Sequence, residues 1–581
     1  MPSWRWHRVL VVVVWLWCLL SCCHGWTEAA SATEVLVVIA CPPLPRRLLD
    51  ECFALSDSLR EQQQQLAGLI PGDYVLRFHI MHELFNYWTL LDALPGETRL
   101  LTARTEWIIW CQHNTHVASL RGLLQQLHSQ DPTEAAYYGH ALYDTEATIV
   151  HHFAHYKNPR WFPYPLLSAG VVFTGVLLRR LAELVALNAQ NGNRHSEFAI
   201  DASHELARFI FDNFTPDTPK PGPKSDPVDG ETLERKIILK SAAYICPTAA
   251  GPLHSPETGM GTGTGTRKPV PCMLYAKPEM FAVLPSTLGN RNRVQGQVEV
   301  QQVQVQTTGS HIYFAIKTCA KFHKERIPII ERTWATDARH RRYYSDVADV
   351  GIPTISTGIP NVQTGHCAKT LAILQLSLKD ISAQKETHIR WLMLVDDDTL
   401  LSVPRVSALL NGYNHTEHIY LGERYGYRLY ASDGFNYHTG GAGIVLSLTL
   451  VRLVLEHCSC PSANAPDDMI LGYCLQALGV VALPAAGLHQ ARPQDYASEL
   501  LHLQPPISFH KYWNTQPEHT YRRWLGGSSG GNQTVPQATG KERATVAAAA
   551  AAAAPLPLLG GRLQLPGLPT GLATAEKHLD L

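Results

Sequence analysis

Three adjacent carboxylates, Asp396, Asp397 and Asp398, follow directly after the apolar run at residues 391–395. Because the run has no polar alternation, it predicts a strand that is buried on both faces, as in a parallel α/β sheet. Ligands of such sheets bind beyond the carboxyl ends of the strands, where carboxylates favour Mg²⁺ or Mn²⁺ together with substrate phosphates. The triplet therefore predicts a metal–diphosphate site. The alternative is an acidic cap on a helix that follows the strand.

Three other groups of polar or small residues follow in the same part of the chain. Gly441 and Gly443 belong to a glycine cluster before an apolar run that is predicted to be helical, and such glycines let the backbone approach a ligand closely. Asp467 and Asp468 open a predicted helix, and His510 follows a short predicted strand. Each group also has a structural alternative: a common glycine turn, a helix cap and a packed histidine.

These four groups, in this order between residues 396 and 510, resemble the fringe-like family of inverting β-1,3-glycosyltransferases. Further stretches that fit the family lie at residues 315–334, 358–361, 365–370 and 508–513. They are most similar to the branch that adds glucose to O-linked fucose on thrombospondin type 1 repeats in the endoplasmic reticulum. The resemblance implies a GT-A-like fold, a UDP-glucose donor, and Mn²⁺ or Mg²⁺ as the metal.

The resemblance also implies how the carboxylates and the histidine are used. Asp398 and His510 are expected to ligate the metal, which offsets the charge that grows on the UDP leaving group. Asp396 and Asp397 are expected to hold the nucleotide ribose and to orient the site. The resemblance further implies that Gly441 and Gly443 line the donor sugar. Thr318 and Arg326 are the implied contacts with the nucleotide.

Asp468 is expected to be the general base, which removes the proton of the acceptor 3-hydroxyl as that hydroxyl attacks the anomeric carbon. Asp467 is the second candidate for this role, and it is otherwise expected to cap the helix or to contact the donor sugar. The alternative donors carry galactose or N-acetylglucosamine. The alternative function is a non-catalytic luminal module that binds glycans or proteins.

An earlier part of the chain repeats the order of these motifs. Residues 107–115 align with 391–399, and residues 168–174 align with 441–447. Two shorter matches are Tyr138 with Leu421 and Asp201 with Asp467. The first copy carries Gln112, His113 and Asn114 in place of the aspartates, so we expect a degenerate domain with a structural or acceptor-binding role. Chance similarity between two α/β domains is the alternative.

The predicted organisation is an α/β chain with two GT-A-like domains, the first degenerate, joined by a partly disordered linker. The predicted segments are a signal peptide (1–25), the degenerate domain (34–214), the linker (215–309), the catalytic domain (310–525) and a disordered tail (526–581). Alternating strands and helices predict a parallel, doubly wound sheet in the catalytic domain.

The N-terminus predicts entry into the secretory pathway. Basic residues precede an apolar run from Val9 to Leu20 that is short for a bilayer span. We expect a cleaved signal peptide, no stable membrane span and residence in the lumen of the endoplasmic reticulum; a signal-anchored form is the alternative. The C-terminal residues 577–581 match a retrieval signal only in part, because Leu579 departs from it.

Charge and cysteine content fit this compartment. A formal net charge of −1 argues against nucleic acid as a partner, and the resemblance implies a UDP-sugar and O-fucosylated thrombospondin-repeat proteins instead.

Of 13 cysteines, Cys18, Cys22 and Cys23 lie in the signal and the other ten follow it. An even number of cysteines in an oxidising compartment predicts disulfides. Plausible pairs, in a connectivity that the sequence leaves open, are Cys41–Cys52, Cys246–Cys272, Cys319–Cys367 and Cys460–Cys474. Predicted N-glycosylation acceptors are Asn213, Asn414 and Asn532.

Overall fold

The computed structural model describes residues 33–526, apart from 43, 67–73, 82–99, 155–157, 192–196, 215–235, 252–269, 279–305, 385–387 and 430. The predicted signal peptide, most of the linker, the tail beyond residue 526, Asn532 and the retrieval signal lie outside these residues. Contacts divide the chain into two units. The first unit contains the residues before 281 together with 426–432 and 494–505, and the second unit contains the others.

Strands and helices alternate along the residues before 281. They are β1 Thr33–Ala40, α1 Arg46–Gln64, β2 Tyr74–Met81, β3 Thr105–Gln112, β4 Thr115–Val117, α2 Leu120–His128, β5 Tyr137–Gly139, β6 Ala141–Leu142, β7 Tyr164–Pro165, β8 Val171–Thr174, α3 Gly175–Asn191, β9 Phe198–Ala199, α4 Ala202–Asn213, β10 Lys240–Ser241, β11 Ile245–Cys246 and β12 Leu274–Ala276.

The first unit has a six-stranded sheet of order β10-β5-β8-β3-β1-β2. Because β1 and β3 carry apolar residues on both faces, helices cover the sheet on each side. Val37 and Ile109 pack with residues of α1 and α2 on one face, whereas Val38 and Ile108 pack with residues of α3 and α4 on the other. The apolar runs at residues 35–40 and 107–111 thus form strands that are buried on both faces.

The remaining residues continue the alternation. They form β13 Ile312–Lys317, α5 Ile327–Arg332, β14 His340–Ser345, β15 Thr354–Ser356, α6 Cys367–Ala383, β16 Trp391–Asp396, β17 Thr399–Leu401, α7 Val403–Leu410, β18 Tyr420–Gly422, β19 Arg424–Tyr427, β20 Phe435–His438, β21 Ile444–Ser447, α8 Leu448–His457, α9 Asp467–Ala477, β22 Ala482–Pro484, α10 Ser498–Leu503, β23 Ser508–His510 and α11 Pro517–Thr520.

The second unit has a seven-stranded sheet of order β15-β14-β13-β16-β21-β18-β22. The central strand β16 is buried along residues 391–395, as its unbroken apolar sequence predicts. The predicted parallel sheet is confirmed only in part, because β21 runs antiparallel to both β16 and β18. The physical reason is the glycine turn before β21, which brings the chain in at the carboxyl end of β16 and sends it back along that strand. The helix predicted directly after the glycine cluster is wrong, because residues 444–447 form β21 and α8 begins at Leu448.

The two sheets share one strand order and one pattern of directions. The parallel pairs β1–β2, β1–β3 and β5–β10 correspond to β13–β14, β13–β16 and β18–β22. The register also corresponds, because Trp107 lies opposite Thr174 as Trp391 lies opposite Ser447. Three of the four motifs that align in the sequence thus occupy corresponding positions in the two sheets, and the fourth, Asp201 with Asp467, lies at the start of a helix in each unit.

Hydrogen bonds repeat the same correspondence. The Thr174 and Ser447 hydroxyls accept hydrogen bonds from the amides of Leu177 and Leu450, three residues further along in each case. The Thr115 hydroxyl donates to the Ser168 carbonyl at 2.9 Å, and the Thr399 hydroxyl donates to the Gly441 carbonyl at 2.9 Å. The last two contacts link residues 53 and 42 positions apart, so they depend on the same packing of the motifs as the strand order does.

The first unit extends further along the chain than its predicted end at residue 214. Parts of the predicted linker form β10, at the edge of the six-stranded sheet, and β11 and β12, which pair with each other. β12 also pairs antiparallel with β4, placing Ala276 opposite Thr115. Among the described residues, no helix combines the length and apolarity that crossing a bilayer requires.

Four disulfides join eight of the cysteines. The predicted pairs Cys41–Cys52 and Cys246–Cys272 are confirmed. The predicted pairs Cys319–Cys367 and Cys460–Cys474 are wrong; the bonds are Cys367–Cys460 and Cys458–Cys474, and Cys111 and Cys319 are free.

The reason for the corrected pairing is a long-range contact at the start of α6. The Cys367 amide donates to the Ala465 carbonyl at 3.1 Å, and the Ala368 amide donates to the Ala463 carbonyl at 3.2 Å. These bonds hold the segment that follows α8 against α6, so that Cys460 reaches Cys367.

We expect peptide mapping without reduction to recover Cys367 linked to Cys460, because their Cα atoms lie 5.8 Å apart. A Cys367→Ser/Cys460→Ser variant should lose about 2–4 kcal/mol in its free energy of unfolding, measured by denaturant titration. Cys319→Ser is the control, and its stability should change little. A peptide that links Cys319 to Cys367 would contradict the pairing.

Candidate active site

The acid triplet lies where two parallel strands end side by side. β13 and β16 pair in a register that sets Lys317 next to Asp396. The Lys317 ammonium is buried, 3.1 Å from an Asp396 carboxylate oxygen and 2.8 Å from an oxygen of Asp467. One cation therefore ties the carboxyl end of β16 to the first residue of α9.

Asp397 and Asp398 share a second cation. The Arg326 guanidinium donates to Asp397 at 2.7 Å and lies 3.1 Å from Asp398, and it stacks 3.7 Å from the centre of the Phe322 ring. The Thr318 hydroxyl donates to the other Asp397 oxygen at 2.6 Å. The two predicted nucleotide contacts, Thr318 and Arg326, therefore lie directly on the triplet.

His510 reaches the triplet from the opposite side. β23 pairs with β17 and places His510 opposite Thr399, and the ring Nε2 lies 3.0 Å from Asp398 Oδ1 and 3.8 Å from Asp396 Oδ2. The ring Nδ1 is 3.0 Å from the Gln490 carbonyl, to which it donates. In the neutral ring this hydrogen bond leaves Nε2 as the nitrogen that is free to bind a metal.

These side chains form a donor set for a divalent cation. One ligand atom each from Asp396, Asp398 and His510 lies within 4.8 Å of the others. Two carboxylate oxygens and one imidazole suit Mn²⁺, and the two oxygens suit Mg²⁺. The geometry adds Asp396 to the expected ligand pair of Asp398 and His510.

The charges at the triplet separate the pKa values of neighbouring carboxyls. Burial and the charge of Asp398 raise the pKa of Asp397 to about 6. Burial also opposes ionisation of Asp398, but the charges of His510 and Arg326 outweigh it and hold the pKa of Asp398 well below its usual range. Burial lowers the pKa of His510 less than Asp398 raises it, so Asp398 and His510 form an ion pair in the absence of a metal.

Asp467 and Asp468 lie in different environments although they are adjacent. Asp467 accepts a hydrogen bond from the Thr370 hydroxyl at 2.6 Å in addition to its contact with Lys317. Asp468 accepts one from the Gly440 amide at 3.2 Å and one from the Met469 amide at 2.7 Å. The predicted capping role of Asp467 is thus replaced by contacts with Lys317 and Thr370.

The same contacts drive the pKa values of the pair apart. Burial opposes ionisation of Asp467, but the Lys317 ammonium lowers the pKa of Asp467 to about 2. Burial and the charge of Asp467 raise the pKa of Asp468 to about 7. Asp467 is therefore a fixed anion, whereas Asp468 can accept and release a proton near neutral pH.

Steric constraints explain why two positions of the glycine cluster are glycines. A Cβ on Gly441 would lie 2.3 Å from His510 Nδ1, so any side chain there displaces the imidazole. Gly443 has a φ of +93°, and a Cβ there would lie 2.6 Å from the Met393 methyl carbon. Gly441 is thus required by the space that the His510 ring occupies, and Gly443 by the backbone conformation of the turn. Their predicted contact with a donor sugar stays a prediction.

Sequence reasoning missed three residues that complete the site: Lys317, Thr370 and Gln490. Lys317 had a usable signal, because it ends a buried strand and parallel strands present their last residues at one edge. Thr370 lies inside α6, and Gln490 lies in a loop where its carbonyl orients His510 and its side chain binds the Ala442 amide at 3.0 Å. No local pattern marks the last two.

Comparisons with known proteins identify relatives of this chain. The Fringe-like family model matches residues 307–522. The β-1,3-glucosyltransferase of Mus musculus is 35% identical over 478 residues, which cover 82% of this chain and 83% of that protein. The β-1,3-glucosyltransferase of Homo sapiens is 35% identical over 477 residues, which cover 82% and 81%. The β-1,3-N-acetylglucosaminyltransferase lunatic fringe of Bos taurus is 27% identical over 227 residues, which cover 35% and 59%.

We expect Gly441→Ala to weaken Mn²⁺ binding by about ten- to a hundredfold, because the new Cβ forces the His510 ring away from Asp398. Calorimetric titration of the purified protein with Mn²⁺ measures the effect. Gly440→Ala is the matched control, since the nearest atom to a Cβ there is an Asp396 oxygen at 4.0 Å. Equal Mn²⁺ affinities of the two variants would contradict this account of the site.

Proposed function

The chain belongs to the fringe-like family of β-1,3-glycosyltransferases, and from this premise we propose that it transfers glucose from UDP-glucose, in β-1,3 linkage, to O-linked fucose on thrombospondin type 1 repeats. The observation that carries the proposal is the convergence of Asp398, His510 and Asp468 at one edge of the second sheet. Identity that spans most of the chain with two β-1,3-glucosyltransferases supports glucose as the donor sugar.

In this proposal the acid triplet holds the leaving group of the donor. Asp396, Asp398 and His510 would hold Mn²⁺, or Mg²⁺, whose chemistry is to offset the negative charge that develops on the diphosphate. Thr318 and Arg326 lie on the side of Asp397, where they are placed to contact the nucleotide. The Arg326 guanidinium supplies a positive charge that suits a diphosphate.

Asp468 is the proposed general base. Its carboxylate takes the proton of the acceptor 3-hydroxyl while that oxygen forms a bond to the anomeric carbon, and the bond from that carbon to the UDP oxygen breaks. Attack opposite to the leaving group inverts the anomeric configuration. A pKa near 7 keeps Asp468 a useful base, whereas the pKa of Asp467 near 2 makes that residue a poor one.

We further propose that the first unit is a duplicated, degenerate copy of the transferase domain. By register, Ala276 lies opposite Thr115 as His510 lies opposite Thr399, so the position of the histidine carries a methyl group. Ser168 aligns with Gly441, and a Cβ is tolerated where no imidazole is present. With Gln112, His113 and Asn114 at the triplet positions, the described residues of this unit lack the donor set at the corresponding place, and we assign the unit a structural or acceptor-binding role.

We place the protein in the secretory pathway and, by the resemblance of its segments, in the lumen of the endoplasmic reticulum. Four disulfides are typical of proteins that fold in an oxidising compartment. The predicted acceptors Asn213 and Asn414 are exposed, as glycosylation requires.

A donor screen with a fucosylated thrombospondin repeat tests the proposed reaction. The purified protein should transfer glucose from UDP-glucose and little from UDP-galactose or UDP-N-acetylglucosamine. Asp468→Asn should lower kcat by about a hundred- to ten-thousandfold while UDP affinity is kept. Asp398→Ala should lose both turnover and the Mn²⁺-dependent part of UDP affinity, measured by calorimetry.

The screen also separates the alternatives. Transfer of galactose or N-acetylglucosamine instead of glucose would identify that sugar as the one the protein transfers. A wild-type protein with no metal-dependent UDP affinity would instead be a binding module, and turnover retained by Asp398→Ala or Asp468→Asn would refute the assigned roles.

The rate should also report the ionisation of Asp468. Burial and the charge of Asp467 raise the pKa of Asp468 to about 7. Because the base must be deprotonated, kcat/KM for the acceptor should fall about tenfold per pH unit below a midpoint near that value. Asp467→Asn removes the neighbouring charge and should move the midpoint to lower pH. A pH–rate profile at saturating UDP-glucose and Mn²⁺ measures both, and an unchanged midpoint in Asp467→Asn would exclude this coupling.

A further inference from the structure

The chain makes an unusual turn immediately after His510. Lys511 has a φ of +75° and Asn514 a φ of +51°, which is the left-handed region that side chains other than glycine rarely adopt. The Tyr512 carbonyl accepts hydrogen bonds from the Thr515 amide at 3.2 Å and from its hydroxyl at 3.0 Å. Backbone held in this region is concentrated at ligand sites, where the surrounding contacts maintain it.

The turn presents a tryptophan to solvent. The Trp513 side chain is 69% exposed, more than any other phenylalanine, tyrosine or tryptophan among the described residues. A ligand that covers this indole would remove a large apolar area from water, so the ring is able to contribute to binding. The second unit thus places its most exposed aromatic ring three residues after the proposed metal ligand.

The indole is also held in place. The guanidinium of Arg492 lies over the Trp513 ring, 5.0 Å from the ring centre, and Arg492 itself is only 8% exposed. A buried cation on one face fixes the ring by a cation–π contact and leaves the opposite face to solvent. A fixed ring with one open face is suited to stacking, because little side-chain freedom remains to be lost on binding.

Neighbouring contacts indicate which side of the site Trp513 occupies. Arg492 ends the segment in which the Ala491 carbonyl accepts from the His510 amide at 3.3 Å and the Gln490 side chain binds the Ala442 amide at 3.0 Å. That segment borders the glycine turn, whose Gly440 amide binds Asp468. Through Arg492, Trp513 is thus connected to the side of the base. The preceding residue, Tyr512, lies near Arg326 and the triplet, so the turn borders both the base side and the nucleotide side of the site.

The distance along the chain fits a substrate next to the donor. Three residues from His510 span at most about 11 Å, so the indole stays within a few sugar widths of the metal ligand. The Lys511 amide also donates to the Asp398 carbonyl at 3.2 Å, which ties the start of the turn to the triplet.

We propose that the open face of Trp513 is a stacking platform for the pyranose ring of the acceptor, a role that rests on the proposed function. The C–H face of a pyranose is apolar and slightly positive, and the indole face is apolar and negative, so the two stack. The platform orients the acceptor so that its 3-hydroxyl faces Asp468. Uracil is the other planar group that this ring can take, and the experiment distinguishes it.

Trp513→Ala should raise the KM for a fucosylated acceptor by about three- to tenfold and leave the KM for UDP-glucose and the calorimetric affinity for UDP with Mn²⁺ unchanged. Trp513→Phe keeps a smaller ring and should recover part of the loss. Val481→Ala, which truncates a 37% exposed apolar side chain directly before β22, at the edge of the second sheet away from the triplet, is the control and should change none of these values.

A second readout does not depend on turnover. Saturation-transfer NMR of a free fucoside, added to the protein with UDP and Mn²⁺, should show contact at the fucose C–H protons that weakens in Trp513→Ala. A weaker UDP affinity in Trp513→Ala would assign the ring to uracil and overturn the proposal. An unchanged acceptor KM would do the same, whereas a wild-type protein that transfers glucose to no fucoside overturns the proposed function itself.

Discussion

The buried ammonium of Lys317 lies between two carboxylates that come from different elements, 3.1 Å from Asp396 and 2.8 Å from Asp467. Five aspartates meet at this edge of the sheet, and so many negative charges in a buried site repel one another strongly. The charge of Lys317 offsets those of Asp396 and Asp467. The charge of Arg326 offsets those of Asp397 and Asp398. The burial of Lys317 lowers its pKa less than Asp396 and Asp467 raise it, so the ammonium stays charged.

This pairing gives neighbouring, chemically identical side chains different properties. Asp467 is an anion because Lys317 and the Thr370 hydroxyl stabilise its charge. Asp468 lies one residue later with only backbone amides as partners, and the fixed charge of Asp467 makes its own ionisation harder. Carboxyls whose environments separate their pKa values are a common basis for assigning a base. The arrangement depends on the register of β13 against β16 and on the start of α9.

The first unit indicates that the sheet itself does not require these charges. Its β1 and β3 pair in the same register, with Ala40 next to Gln112 where the second unit has Lys317 next to Asp396. The first unit thus has neither the lysine nor the aspartate at these two positions, and its strands β1 and β3 are still buried. The two corresponding turns both contain a glycine at positive φ, Gly170 at +91° and Gly443 at +93°. Backbone geometry is thus shared, while the charged groups occur in one unit.

Residues close together in the sequence were enough to predict several features of this protein. The apolar run before Asp396 predicted a buried strand, and the glycines at 441 and 443 predicted a tight turn, since both depend on nearest neighbours. Two disulfides within short segments were also predictable. The tertiary structure alone decided that Cys367 pairs with Cys460, that Lys317 lies between Asp396 and Asp467, and that Gly441 leaves room for the ring of His510. These depend on strand register and on which loops pack together, and neither leaves a periodic signal in the sequence.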